Sequence, residues 1–195
     1  QDTYTVVLTS EPVADVTITA VPLLAQTTAL PSPLTFTSAN WDTPQTVTVS
    51  AVDDAVDEGA HTGTITHTVG GLDPMYLPAT AVADVTANIT DNDTAGVTFT
   101  PAGGIYEVSE AGATNDLTIS MNSQPTADVT ITLTPALDGE LCLPTPAPVT
   151  VTFPALNWAT PHVVTVSAIN DGYVEGPHTG DLGYAFASPH LKYNV

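Results

Sequence analysis

Asn40-Trp-Asp-Thr-Pro-Gln-Thr-Val-Thr-Val-Ser-Ala-Val-Asp-Asp-Ala-Val-Asp-Glu-Gly-Ala-His-Thr-Gly63 returns as Asn157 to Gly180, 117 residues later, with 15 identities in 24 positions. At its centre, Thr46-Val-Thr-Val-Ser50 alternates valine with hydroxyl residues. Period-two alternation with β-branched enrichment is the pattern of a half-buried strand. The same alternation recurs in Tyr4-Thr-Val-Val-Leu8, Val16-Thr-Ile-Thr19, Leu34-Thr-Phe-Thr37, Val97-Thr-Phe-Thr100, Leu117-Thr-Ile-Ser-Met121 and Val149-Thr-Val-Thr-Phe153. No segment repeats apolar residues at helical spacing, and 17 prolines and 13 glycines punctuate the chain. The expected class is all-β, as tandem antiparallel β-sandwich modules of about seven short strands each.

A second match sets the register. Pro12 to Thr19 (PVADVTIT) pairs with Pro125 to Thr132 (PTADVTIT) at an offset of 113, so the second copy carries four extra residues, expected around Asp138 to Cys142. The copies divide as residues 1–93 and 94–195. Thr94 to Ala113 open the second copy without a counterpart ahead of Gln1, and Ala79 to Asp93 close the first without a counterpart beyond Val195. The register therefore predicts a first copy lacking its opening strand and a second lacking its closing strand. Two arrangements satisfy such edges: a piece of a longer array, or strands supplied by neighbouring subunits.

Composition narrows the function. Twenty-one Asp plus Glu face one basic residue, Lys192, for a formal charge of −20. Nothing here neutralises phosphates, so nucleic acid is not an expected partner. Cations are, because uncompensated charge of this size weakens a compact state unless it is screened; a salty habitat would select the same acidity without any specific site. No apolar run reaches the length of a membrane span. The lone Cys142 excludes an internal disulfide and is read as a small half-buried hydrophobe. Trp41 and Trp158, Tyr76 and Tyr193, and the His-Thr-Gly histidines His61 and His178 are equivalent pairs, read as structural. No single non-repeated constellation of nucleophile, base and acid stands out, so no enzyme is expected.

The acids gather at Asp53-Asp-Ala-Val-Asp-Glu58, at Asp91-Asn-Asp93 and at Glu110. Oxygen-only clusters without His or Cys suit Ca²⁺ rather than Zn²⁺, although Asp-Asn-Asp is also good turn chemistry. The string Ile89-Thr-Asp-Asn-Asp-Thr-Ala-Gly-Val-Thr98, with Val108-Ser-Glu110 and Ala51 to Glu58, resembles the Calx-beta module of sodium/calcium exchangers and of tandem repeats in large bacterial surface proteins. The resemblance implies calcium at one tip of each sandwich. In the first copy it points to Asp53, Asp54, Asp57 or Glu58, Asp91 and Asp93. In the second it points to Glu110, Asp171 and Glu175, with Asn170 where the first copy has Asp53.

The expected role is a structural or adhesive repeat of a secreted or cell-surface protein, stabilised by calcium, within a rod or filament. Its partners would be neighbouring repeats or identical subunits, with a glycan or surface receptor as a further possibility. Tyr106, Tyr173, Tyr184 and Phe186 are the aromatic candidates for sugar contact. Asn88-Ile-Thr and Asn92-Asp-Thr match the N-glycosylation sequon.

Overall fold

The computed structural model describes residues 1–77, 81–101, 107–136, 148–174 and 176–194, and the backbone of 141–142. Every strand pair in it is antiparallel, and the all-β class read from the alternation is the observed one. Two compact units form. Unit 1 holds Gln1–Asp54 and Glu58–Asp91, and unit 2 holds Ala55–Asp57 and Asn92–Val195.

Unit 1 contains β1 (Asp2–Val6), β2 (Val16–Pro22), β3 (Thr27–Leu30), β4 (Leu34–Phe36), β5 (Gln45–Ala51), β6 (His61–Gly71) and β7 (Val85–Ile89). They make a three-stranded sheet, β1-β5-β3, and a four-stranded sheet, β4-β2-β6-β7. Val47 and Val49 of the first sheet share one core with Val16, Ile18, Leu34, Phe36 and Ile65 of the second. The two sheets therefore pack face to face as a sandwich. Each such aliphatic side chain contributes roughly 1.5–3 kcal/mol by leaving water, and the Thr residues between them take the opposite face.

Unit 2 contains β8 (Val97–Thr100), β9 (Thr114–Met121), β10 (Val129–Pro135), β11 (Leu141–Cys142), β12 (Val149–Phe153), β13 (His162–Ala168) and β14 (Leu182–Ala187), with a 3₁₀ turn at Leu191–Tyr193. Its sheets are β11-β13-β9-β8 and β12-β10-β14. Leu117, Ile119, Val164 and Val166 from one meet Val129, Ile131, Leu133, Val151 and Phe153 from the other.

The strand registers repeat between units. Pro22 faces Ile65 and Pro135 faces Leu182; Thr5 faces Thr46 and Thr118 faces Val163. Thr27 faces Ala51 while Leu141 faces Ala168, a spacing of 114 between β3 and β11. The four surplus residues are thus split, one ahead of Leu141 and three between Cys142 and Val149. Of the stretch expected to hold them, 138–140 lie outside the described residues, as does the Cys142 side chain.

The paired aromatics serve both cores alike. Tyr76 Oη donates to the Ser10 carbonyl at 2.7 Å and lies 2.8 Å from Ser10 Oγ. Tyr193 Oη does the same at Ser123, at 2.8 Å and 2.7 Å. Each bond ties a residue that follows β6 or β14 to the loop ahead of β2 or β10. Trp41 and Trp158 pack, partly buried, against the two cores.

The loop ahead of β2 has a second tie. Asp73, 1% exposed, accepts backbone N–H bonds from Val13 at 2.6 Å, Met75 at 2.8 Å and Ala14 at 3.4 Å. Burial raises its pKa, but the N–H groups of Met75, Val13, Ala14 and Tyr76 outweigh burial and leave it lowered. At the equivalent place in unit 2 stands His190, whose Nδ1 accepts the Thr126 N–H at 3.1 Å.

Two outcomes follow from these ties. Tyr193→Phe should cost about 1–2 kcal/mol, read from urea unfolding, because the buried Ser123 carbonyl and hydroxyl lose their partner, and Tyr76→Phe should cost less, because Ser10 is exposed. A lowered carboxyl pKa stabilises the fold above the unfolded value of about 3.9 and stops doing so as pH falls through the folded value. Asp73→Asn should therefore weaken unit 1 at pH 7, and its deficit should narrow in acid; a deficit that stays constant down to pH 2 would remove the carboxylate from this role.

Candidate functional site

The acidic residues named from the sequence fall in both units. In unit 1, Asp53 and Asp54 are exposed just after β5. Asp91 Oδ2 accepts the backbone N–H groups of Glu58 at 2.6 Å and Gly59 at 2.7 Å, closing the turn that leads into β6. Glu58 Oε1 accepts from Gln26 Nε2 at 3.0 Å, and its Oε2 lies 3.3 Å from His61 Nε2. His61 also meets the Gly59 carbonyl at 2.8 Å and Gln26 Oε1 at 3.0 Å. Its structural role is thereby visible: it links the turn to the loop before β3. His178 Nδ1 keeps the matching contact with the Gly176 carbonyl at 2.7 Å. The glycine of the same motif answers a packing need, since a Cβ on Gly63 would stand 2.7 Å from Thr27 Cγ2.

In unit 2, Asp57 Oδ2 accepts the Ala95 N–H at 2.7 Å. Its Oδ1 pairs with the Lys192 ammonium, which also donates to the Asp57 carbonyl at 2.8 Å. The Gln124 N–H donates to the Ala55 carbonyl at 2.6 Å. The chain's one basic side chain thus clasps Ala55–Asp57 to the rest of unit 2. Asp93 and Glu110 are half-buried, Glu110 in the turn where the Gly112 N–H reaches the Ser109 carbonyl at 2.9 Å. Asn170 is exposed, and Asp171 Oδ1 accepts the Tyr173 N–H at 2.7 Å. Glu175 lies outside the described residues, as does Tyr106.

The donor chemistry of these residues is that of a hard cation, and several of their oxygens also hold backbone N–H groups. Ca²⁺ takes six to eight oxygens, whereas oxygens of Asp91, Asp57 and Asp171 hold backbone N–H groups and Asp57 faces an ammonium. Among the described residues no three His, Cys, Asp or Glu side chains group so as to hold a metal.

Sequence reasoning passed over Asp73 and the Asp57–Lys192 pair. Asp73 is matched by His190, so the search for repeated residues passed over it; Asp57, named from the sequence as a candidate cation ligand, is matched by Val174. Of the aromatic candidates, Tyr173 is 77% exposed and Tyr184 59%, although the Tyr184 ring lies tilted 5.0 Å from Phe99 and edge-on 5.6 Å from Phe186, which packs on the core.

The remaining feature is the pair of sheet edges in which the units differ. In unit 2, β8 covers the outer edge of β9; in unit 1, the equivalent β1 has no such neighbour among the described residues. In unit 1, β7 covers β6; in unit 2, the equivalent β14 has none among the described residues. Edge strands present rows of unpaired N–H and C=O groups, the usual template for adding a strand.

With −20 charges to screen, melting should rise with salt of any kind. At matched ionic strength, CaCl₂ and NaCl should give the same Tm. A saturable calcium-specific rise above about 4 °C, worth about 1 kcal/mol in a unit of this size, would instead establish a metal site.

No helix among the described residues is long and apolar enough to cross a membrane. No family model matches the sequence, and no curated protein matches it. Among solved structures, the crystal structure of CBD12 from CALX1.2 aligns at 16% identity and a TM-score of 0.40, covering 94% of this chain and 73% of that chain.

Proposed function

We propose that the chain is a structural or adhesive repeat element of a secreted or cell-surface array, acting through its sandwiches as modules and not as an enzyme. The observation that carries the reading is the duplication of every described strand register from β1 through β6 in β9 through β14. A chain that keeps sheet order, core faces and the tyrosine–serine tie in two copies, while acidic positions such as Asp57 and Asp73 drift, has retained a mechanical unit. Asp57 against Val174 and Asp73 against His190 show that drift. Partners on this reading are further sandwich repeats, with a glycan or receptor met at exposed aromatics such as Tyr173.

A calcium-stabilised form of the same element is favoured by one feature, the all-oxygen chemistry of Asp53 to Glu58 and Asp91 to Asp93. The matched-salt melting comparison decides between the two forms.

Stretching the chain between its termini in an optical trap tests the mechanical role. Two separate unfolding steps are expected, each releasing on the order of 300 Å of chain at about 3.3–3.6 Å per residue. Gradual extension without steps would sink the reading.

A further inference from the structure

Lys192, the one basic side chain, stands where the first copy has Met75, and its partner Asp57 stands where the second copy has Val174. Both members of this ion pair are therefore replaced by apolar residues at the equivalent positions. The pair has a main-chain companion, the Gln124 N–H donating to the Ala55 carbonyl at 2.6 Å. Glu11 is the equivalent of Gln124 at the offset of 113, and Gly172 is the equivalent of Ala55 at 117. In unit 2, then, the face carrying Gln124 and Lys192 holds Ala55–Asp57 by one main-chain hydrogen bond and one ion pair, and the Ala95 N–H completes the Asp57 carboxylate.

Unit 1 carries the corresponding face with its chemistry changed. Val13 and Met75 lie side by side, because the backbone N–H groups of both donate to the Asp73 carboxylate, at 2.6 Å and 2.8 Å. Leu72 adjoins them, its N–H donating to the Asp15 carbonyl at 3.0 Å. Each of these three side chains is at least 81% exposed. The unit 2 equivalents are Thr126, Lys192 and Pro189. The loop changes in the same sense: Gly172-Tyr173-Val174 bears no charge, with Tyr173 and Val174 exposed, whereas Ala55, Val56 and Asp57 are half-buried.

We propose that the Val13–Leu72–Met75 face of unit 1 binds the 172–174 loop of a second copy of this chain. Val174 meets Met75 where unit 2 sets Asp57 against Lys192, and the Glu11 N–H donates to the Gly172 carbonyl. The two replacements keep the contact complementary, apolar on apolar in place of anion on cation; either one alone would bury a charge without a partner. Face and loop are different surfaces, so the contact is heterologous, and each added copy still offers its own loop to the next. Such a contact rests on the array reading and supplies its partner. Single-molecule extension shows two steps or none whether or not copies associate, so either reading can fail alone.

Sedimentation equilibrium of the intact chain from micromolar to millimolar concentration, in salt with a Debye length of about 8 Å, tests the contact. The mean mass should rise with concentration past that of a dimer. Met75→Lys and Val174→Asp should each weaken association about tenfold or more, with melting unchanged because both side chains are exposed. An equimolar mixture of the two variants should associate again, since the introduced ammonium and carboxylate then meet as Lys192 and Asp57 do. A chain that stays monomeric throughout overturns the proposal, as does association that neither substitution weakens. A mixture no better than its components, or association that stops at a symmetric dimer, overturns the pairing of this face with this loop.

Discussion

Every strand in both units has one face that leaves water and a row of backbone N–H and C=O groups that need partners. Two sheets packed face to face satisfy the first demand, and neighbouring strands satisfy the second. Each unit has its own core, with Val16, Phe36, Val47 and Ile65 fully buried in one and Val129, Ile131, Phe153 and Val166 in the other. Pairing is complete only where a neighbour exists. Among the described residues, β1 and β14, which have no neighbour on one side, are shorter than their equivalents β9 and β6.

Polar ties outside the sheets follow the same logic. A loop entering β2 or β10 passes beside a buried core, where an unpaired polar group is costly. The tyrosine hydroxyls reach the carbonyls of Ser10 and Ser123, and Asp73 or the His190 imidazole takes the N–H groups just beyond. One tie is the same in both units and the other is chemically exchanged, because any acceptor of suitable reach satisfies an N–H.

The acidic residues illustrate how chemistry and geometry separate. Their residue types belong to hard-cation binding, yet Asp91, Asp57 and Asp171 shape turns and hold neighbouring backbone. Asp171 serves its own turn, two residues on, whereas Asp91 and Asp57 hold backbone N–H groups 32 to 38 residues away in the sequence. Which use prevails depends on how many carboxylates converge, and that is a property of three-dimensional placement.

Alternation of Thr with Val, Ile and Leu determined the class, the strand positions and the core faces, because a period of two can bury only one side. Repetition at offsets of 113 and 117 determined which tyrosines, tryptophans and histidines are equivalent. Placement of the four surplus residues around β11 was decided by the registers, since the matches at offsets 113 and 117 bracket that stretch without dividing it. The partners of Asp73 and Lys192 were likewise decided only in the tertiary structure: Asp73 meets Val13 and Lys192 meets Asp57 across long separations in the chain. The lengths of β6 and β14 differ over the identical His-Thr-Gly for the same reason. A strand edge becomes regular when its backbone finds a neighbour, and no local sequence contains that neighbour.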